Sequence, residues 1–581
     1  VKTITKFEKK TAGHSYSLPR DSVFIQILNQ NMDQPILRVN NLSIAFQQQG
    51  EQFLAVEHLS FDLRPARVLA VVGESGSGKS VTSFSLMQLL SPKTTFFPSG
   101  EFIFHFNKNQ EVLEPASEEI ASLRGKKIAM IFQEPMTALN PVMRCGEQVA
   151  EMMRLHLGLS QKEANRRVIE LFSEVLIPDP HSSVLKYPHQ LSGGQRQRVM
   201  IAMAISCNPE ILIADEPTTA LDPTVQKEIL SLLHRIQKKH HTTILFITHD
   251  LGLVKEFADD ILVMKSGMMM EFGPAAAVLS NPQSWYTKAL LNCKPRPGVK
   301  TAQLPTINTL EIKPQNIVSV DSGNQPVLSV KNLSKVYVKR NYWSQPEKFV
   351  AVDNVSLYVN RGETLGLVGE SGCGKSTLSR MIVGLIQPTS GWISFPRNEN
   401  EPRSEVVQLI FQDPYSALNP RKKILETLVE PMLANGIERS RKLAIEKAVQ
   451  TLKSVELKED DLFKYPHQFS GGQRQRIVIA RALCMEPKII ICDESVAALD
   501  VSVQAQVLNL LNALKYSRQL SYLFISHDLA VVYHMSDRIA VMERGKFVEM
   551  GNADDVFFRP QSNYTKSLLK AIPGYSPTFL D

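Results

Sequence analysis

The sequence predicts an α/β fold written twice in tandem. First, the same motifs recur in the same order in both halves: GESGSGKS and GESGCGKS, FQEPMTALNP and FQDPYSALNP, LSGGQRQR and FSGGQRQR, DEPTTALD and DESVAALD, LFITHDL and LFISHDL. Second, each half holds short continuous apolar runs, RVLAVVG, EILIADE and TILFITH in one and TLGLVG, KIIICDE and YLFISH in the other. Runs of that length bounded by glycine or charge read as strands buried on both faces of a mostly parallel sheet. Third, helical patterns separate the runs, so helices cover the sheet and ligands belong at the carboxyl ends of its strands.

Spacing sharpens the repeat. Ser192 and Ser470, Glu216 and Glu494, and His249 and His527 are each 278 positions apart, whereas Lys79 and Lys375 are 296 apart. The first half therefore carries 17 extra residues between its lysine and Gln133, the counterpart of Gln412. Residues 35–295 and 327–573 read as the two units. Residues 296–326, with Pro297, Pro305, Pro314 and Pro326 and few charges, read as a linker. Residues 1–34 read as an extension, recognisable pattern starting at PILRVNNLSIAF and Met32 being the expected start of the folded part; residues 574–581 read as a tail.

Composition excludes several classes. A 43% hydrophobic content suits globular domains, and the longest apolar runs fall well short of the roughly 20 residues of a membrane-spanning helix. The net charge of +7, from 65 basic and 58 acidic residues, is spread along the chain, so no nucleic-acid partner is expected. The six cysteines lack paired spacing, which fits a reducing compartment, and residues 1–31 lack the apolar core of a secretory signal.

The chemistry begins with G-x-x-x-x-G-K-[ST] between a strand and a helix. Glycines let backbone N–H groups converge on anionic oxygens at a helix N-terminus. Gly73, Gly76, Gly78, Lys79 and Ser80, and Gly369, Gly372, Gly374, Lys375, Ser376 and Thr377, are thus expected to hold nucleotide phosphates, the lysines at the β- and γ-phosphates and Ser80 and Ser376 on Mg²⁺. Asp215 and Asp493 end buried strands and suit the magnesium shell. Glu216 and Glu494 follow as the carboxylates expected to polarise water. His249 and His527, each 33 residues beyond its glutamate, are expected to face the γ-phosphate. The bland alternatives, solvated acids and capping histidines, lose weight because both sets occur twice at matched spacing.

Ser192, Gly193, Gly194 and Gln195, and Ser470, Gly471, Gly472 and Gln473, offer a second anion site at a helix start in each half. A second anion site makes sense if it serves nucleotide bound to the other half. At this point the residues resemble the ATP-binding-cassette ATPases, over about 35–292 and 326–571. The resemblance implies two P-loop NTPase cassettes, each a mostly parallel core sheet with helical and antiparallel β subdomains. It implies ATP and Mg²⁺, with ATP at Lys79 meeting Ser470–Gln473 and ATP at Lys375 meeting Ser192–Gln195. It also gives Gln133 and Gln412 a catalytic and magnesium-linked place, and Asp222 and Asp500 a loop linking the two sites. Phe46 and Tyr337, or Phe53 and Phe349, are candidates to stack on adenine. Two positions depart from the pattern: Ser495 replaces proline, yet Asp493, Glu494 and His527 all remain, so both sites are expected to hydrolyse ATP; Val81 opposite Thr377 leaves the first site one hydroxyl short and predicts unequal affinities.

FQEPMTALNP, KYPHQ and NPQSWYTKALL, with their second copies, resemble the peptide and nickel importer branch, in particular fused dipeptide, oligopeptide or glutathione importer ATPases. Ser-Trp-Tyr-Thr and Ser-Asn-Tyr-Thr stand where that branch has His-Pro-Tyr-Thr, and the cysteine cluster that some relatives carry after the first cassette is missing, so no iron–sulfur cluster is expected. The resemblance implies two integral-membrane permease subunits, indirectly an extracytoplasmic solute-binding protein, and a peripheral place on the cytoplasmic face of a bacterial inner membrane. A ribosome-bound double-cassette factor, which has a long charged linker, and a DNA-repair cassette, which has large insertions, fit less well.

Overall fold

The computed structural model describes residues 34–48, 51–106, 109–219, 221–307, 325–339, 347–396, 402–497 and 499–572. The expected extension up to residue 33, with Met32, and the tail 574–581 lie outside them, as do linker residues 308–324.

In the first half a six-stranded sheet runs Met268–Pro274, Asp260–Lys265, Val68–Val72, Thr243–Thr248, Ile211–Asp215, Ile128–Ile131. All its pairs are parallel except the edge pair Met268–Pro274 with Asp260–Lys265. The second half repeats it as Lys546–Asn552, Arg538–Glu543, Thr364–Val368, Ser521–Ile525, Ile489–Asp493, Val407–Ile410, again with one antiparallel edge pair. The apolar runs of the sequence are these central strands. Their side chains alternate, Leu69 and Val71 facing a core shared with an antiparallel sheet and Val68, Ala70 and Val72 facing the helices, and every one is buried. Burial on both faces is what a continuous apolar run permits and an alternating one does not.

The antiparallel sheet differs between halves. In the first it is Glu51–Leu63, Leu37–Gln48, Thr95–Phe106 and Asn109–Leu113; in the second, among the described residues, it is Glu347–Asn360, Pro326–Lys339 and Ser390–Ser394. The first half's extra residues therefore lengthen one strand and add another, while both halves carry a short helix before the next core strand, Glu119–Leu123 and Arg403–Val406.

Beyond Gln133 and Gln412 the chain turns helical. Cys145–Leu157 and Gln161–Glu174 lead to Gly193–Ile205, and Ile424–Ala434 and Arg441–Ser454 lead to Gly471–Leu483. Ser160 starts the second of these helices with a capping box, its Oγ accepting from Glu163 N while Glu163 Oε2 accepts from Ser160 N at 3.0 Å. Such reciprocal caps satisfy two orphan donors at once.

The linker region is not free where it is described. Lys300 Nζ donates to Ser536 O at 2.9 Å and sits over the Tyr533 ring, and Leu304 exchanges two 2.8 Å hydrogen bonds with the Asn509 side chain. Leu304 and Ile307 are buried. Residues 298–307 are thus fastened to the second half, and Pro326 already opens a strand.

Candidate nucleotide sites and the contact between halves

Each glycine-rich loop leaves a core strand and enters a helix at its lysine, Lys79–Leu86 and Lys375–Val383. The glycines are required by space and by backbone. A Cβ on Gly73 would lie 2.2 Å from Met264 O and one on Gly374 2.3 Å from Ala351 O, and Gly76 and Gly372 hold φ of +78° and +83°. Lys79 Nζ donates to Gly73 O and Glu74 O, both at 2.7 Å, and Lys375 Nζ to Gly369 O and Glu370 O at 2.7 and 3.0 Å. Each lysine thus lies folded across its own loop. Burial pulls Lys79 below its ordinary range, against the charges of Asp500, Glu216 and Asp215.

Ser80 Oγ donates to Asp215 Oδ1 at 3.1 Å and Ser376 Oγ to Asp493 Oδ1 at 3.2 Å, with Ser379 Oγ on Asp493 Oδ2 at 2.9 Å. A hydroxyl beside a carboxylate at the loop's mouth is the hard oxygen donor set that suits Mg²⁺. Burial pushes Asp215 up to about 6, Glu216 adding to the effect, and raises Asp493 likewise.

The neighbouring glutamates are held differently. Glu216 and Glu494 have φ of +47° and +49°, the left-handed region that non-glycine residues rarely enter, and their N–H groups are pinned to Ile247 O and Ile525 O. That turn swings each carboxylate out of the strand into the cleft. Gln133 Nε2 donates to Glu216 Oε2 at 2.9 Å and Gln412 Nε2 to Glu494 Oε2 at 2.8 Å. His249 Nδ1 lies 3.3 Å from Glu216 Oε1, and His527 Nδ1 lies 3.8 Å from Glu494 Oε2. Burial works to raise Glu216, but His249, Thr219 and Lys79 outweigh it and leave the carboxyl at about 2; Glu494 is lowered in the same way by His527 and Lys375. Adjacent carboxyl groups whose proton affinities are driven apart are the arrangement that lets one stay ionised as a base.

The Ser-Gly-Gly-Gln turns cap helices Gly193–Ile205 and Gly471–Leu483. Ser192 Oγ accepts from Gln195 N at 3.3 Å and Gln195 Oε1 from Ser192 N at 3.1 Å; Ser470 and Gln473 repeat this. The following glycine N–H groups belong to the first helical turn and have no partner within the helix. Ser192 and Ser470 are exposed. Arg196 and Arg474 tie each turn to the segment after the glutamine, Arg196 through Pro188 O and Met136 Sδ, and Arg474 through Pro466 O and the Tyr415 ring at 3.8 Å.

Among the described residues no hydrogen bond joins either Ser-Gly-Gly-Gln turn to the opposite phosphate loop. The halves meet instead beside the Ala-Leu-Asp segments. Thr224 Oγ1 donates to Glu370 Oε1 at 3.2 Å, and Ser502 Oγ donates to Glu74 Oε1. Asp222 caps its own helix through Val225 N at 3.0 Å, whereas Asp500 makes no such cap and its charge reaches Lys79 and His249 of the other half. A cavity of about 100 Å³ lies between the two histidine segments, lined by His249, Asp250, His527 and Asp528.

The four aromatic candidates form two cross-strand pairs, Phe46 with Phe53 and Tyr337 with Phe349. Phe349 lines a cleft of about 400 Å³ with Ser371, Gly372, Arg544 and Tyr564, beside the second phosphate loop. Phe46 packs against the core beneath its sheet, and Phe53 is exposed. Reading the sequence alone missed Glu74, Glu370, Tyr286, Tyr564, Thr224 and Ser502. Their signal was present: each is the same or a similar residue at equivalent positions of the repeat.

The ABC transporter profile matches residues 56–219 and 352–497, and the profile of the oligopeptide/dipeptide transporter C-terminal region matches 270–320 and 548–578. The chain belongs to the ABC transporter ATPases. It is similar to the glutathione import ATP-binding protein GsiA of Pectobacterium atrosepticum, 43% identical over 94% of this chain and 90% of that protein. GsiA of Escherichia coli strain K12 is 44% identical over the same shares. A solved dimeric ATP-binding cassette in a post-hydrolysis state, bound to ADP and Pi, aligns at 29% identity and a TM-score of 0.35, over 39% of this chain and 98% of its own. This tandem ABC ATPase thus carries the ATP-binding cassette twice and falls in the peptide and nickel importer branch. Among the described residues no helix is long and apolar enough to cross a membrane.

Proposed function

We propose that the chain is the ATP-binding subunit of an importer for small peptides of the glutathione, dipeptide or oligopeptide class, and that it works through two composite sites closed between its cassettes. The observation that carries this reading is likeness over nearly the whole chain to proteins named for glutathione import, including both C-terminal regions.

The loops at Lys79 and Lys375 bind the ATP phosphates with backbone N–H groups and the lysine ammonium. Ser80 with Asp215, and Ser376 with Asp493, would hold Mg²⁺, which would supply positive charge to neutralise the phosphate oxygens. Glu216 and Glu494, ionised at neutral pH, accept a hydrogen bond from the attacking water, while His249 and His527 keep Nδ1 toward the glutamate and leave Nε2 for the γ-phosphate. Gln133 and Gln412 rest on those glutamates and lead into the helical segments, so the state of each site is passed outward. Ser470–Gln473 complete the site at Lys79, and Ser192–Gln195 the site at Lys375. Nucleotide then favours the closed pair because it contacts both halves only there, and hydrolysis releases it. Phe53 and Phe349 serve adenine. The helical segments grip two permease subunits at the cytoplasmic face of the inner membrane, and a solute-binding protein delivers cargo outside.

Purification from membranes followed by uptake of labelled glutathione, dipeptide, longer peptide and Ni²⁺ tests the reading. Co-purified permeases and ATP-dependent peptide uptake are expected; recovery on ribosomes without permease would overturn it.

A further inference from the structure

One charged residue of the phosphate loop has no task in this scheme, the glutamate of Gly-Glu-Ser-Gly, Glu74 or Glu370. In both cassettes its backbone N–H donates to a tyrosine hydroxyl from the last helix of the same cassette: Glu74 N to Tyr286 Oη at 3.3 Å, Glu370 N to Tyr564 Oη at 3.1 Å. In both, its carboxylate accepts a hydroxyl from the opposite cassette, Ser502 for Glu74 and Thr224 at 3.2 Å for Glu370. Ser502 and Thr224 occupy the same place, the second residue of the helix after Asp500 or Asp222. Tyr286 also donates to Glu74 Oε2 at 3.3 Å. Tyr286 is fully buried, while Trp285 beside it is exposed. That difference explains why Tyr-Thr recurs in both copies of the C-terminal motif while the residue before it is Trp in one and Asn in the other.

A loop of three glycines has many conformations, and only one of them aims its N–H groups at phosphate. Each anchor removes some of the others before nucleotide arrives, and binding is tighter for what is already organised. One anchor comes from the loop's own cassette and one from its neighbour.

We propose that Tyr286 and Tyr564 are positioning residues that, through Glu74 and Glu370, fasten each phosphate loop to the first turn of the opposite cassette's helix, so that docking of the halves shapes the loop for nucleotide. The inference rests on the reading of the loops as ATP sites.

The test uses the full chain carrying Lys375→Ala, which leaves nucleotide only at Lys79, and equilibrium binding of a fluorescent ATP analogue. Tyr286→Phe and Ser502→Ala should each weaken binding roughly three- to tenfold, the loss of one ordinary hydrogen bond's contribution. The double variant should be no weaker than the worse single, Ser502→Thr should restore affinity, and turnover at saturation should change by less than about twofold. Unchanged affinity in Tyr286→Phe would overturn the proposal, as would effects of the two substitutions that simply multiply. Should Tyr286→Phe fail to fold, Tyr564→Phe and Thr224→Ala in a Lys79→Ala chain read the second copy by the same criteria. A Lys375→Ala chain that binds no nucleotide contradicts the assignment of the Lys79 site itself, a separate failure.

Discussion

The two candidate nucleotide sites share a backbone and differ in who holds the carboxylates. Strand, glycine loop, left-handed glutamate and histidine superimpose in role, yet Glu216 is held by Gln133, by Thr219 Oγ1 at 2.9 Å and by His249 at 3.3 Å, while Glu494 has Gln412, His527 at 3.8 Å and Lys375 at 3.9 Å. Ala497 stands where the first site has Thr219. The aspartates differ in the opposite sense, Asp493 gaining Ser379 while the equivalent Ser83 donates to Ser80 O and, among the described residues, not to Asp215. A duplicated backbone therefore keeps the same carboxylates, lysine and histidine in place while the side chains around them differ.

The largest test of the comparison removes the carboxylates proposed as bases. Glu216→Gln and Glu494→Gln are each expected to cut ATP turnover substantially, and together by about 10²- to 10⁴-fold, the usual worth of a positioned general base. A single variant with untouched activity would mean the sites are not both working.

A second difference lies outside the sites. His534 is buried in the second cassette with neither ring nitrogen hydrogen-bonded, and burial, with Lys300's charge, pulls it from 6.5 to about 4; the first cassette has Glu256 there. The folded state keeps this ring neutral while the unfolded chain protonates it below 6.5, so its contribution is full above 6.5 and is lost as pH falls toward 4. Denaturant unfolding should find the second cassette weakened by about 2 kcal/mol between pH 7.5 and 5, and His534→Leu should remove that dependence. Equal acid sensitivity in the variant would refute it.

The smallest effect is the hydroxyl. Thr219→Ala should lower turnover at the first site roughly two- to tenfold in a Glu494→Gln chain, and Ala497→Thr should raise it at the second in a Glu216→Gln chain, as one hydrogen bond to a charged group allows. Opposite signs would show that the extra bond restrains the base.

Much of this was legible in the sequence because each motif does its work locally. GESGSGKS must be a glycine loop opening a helix, EILIADE must be a buried strand ending in acid, and LSGGQ must cap a helix, whatever surrounds them. The expectation of unequal affinity rested on Val81, which lacks the hydroxyl of Thr377; the differences that reach the carboxylates among the described residues are others, Thr219 against Ala497, the bond of Ser379 and the approach of Lys375 to Glu494. What stayed hidden were contacts between segments hundreds of residues apart. Nothing in NPQSWYTKALL says that its tyrosine reaches Glu74, nothing in a proline-bearing linker says that Leu304 pairs with Asn509, and an Asp before a helix normally caps it, as Asp222 does and Asp500 does not.

The central claim is that each site is completed by the other cassette. In a Lys375→Ala chain, where only the Lys79 site can turn over, Ser470→Ala should lower ATP hydrolysis at least tenfold while Ser192→Ala lowers it far less. Loss with Ser192→Ala and not with Ser470→Ala would contradict the account.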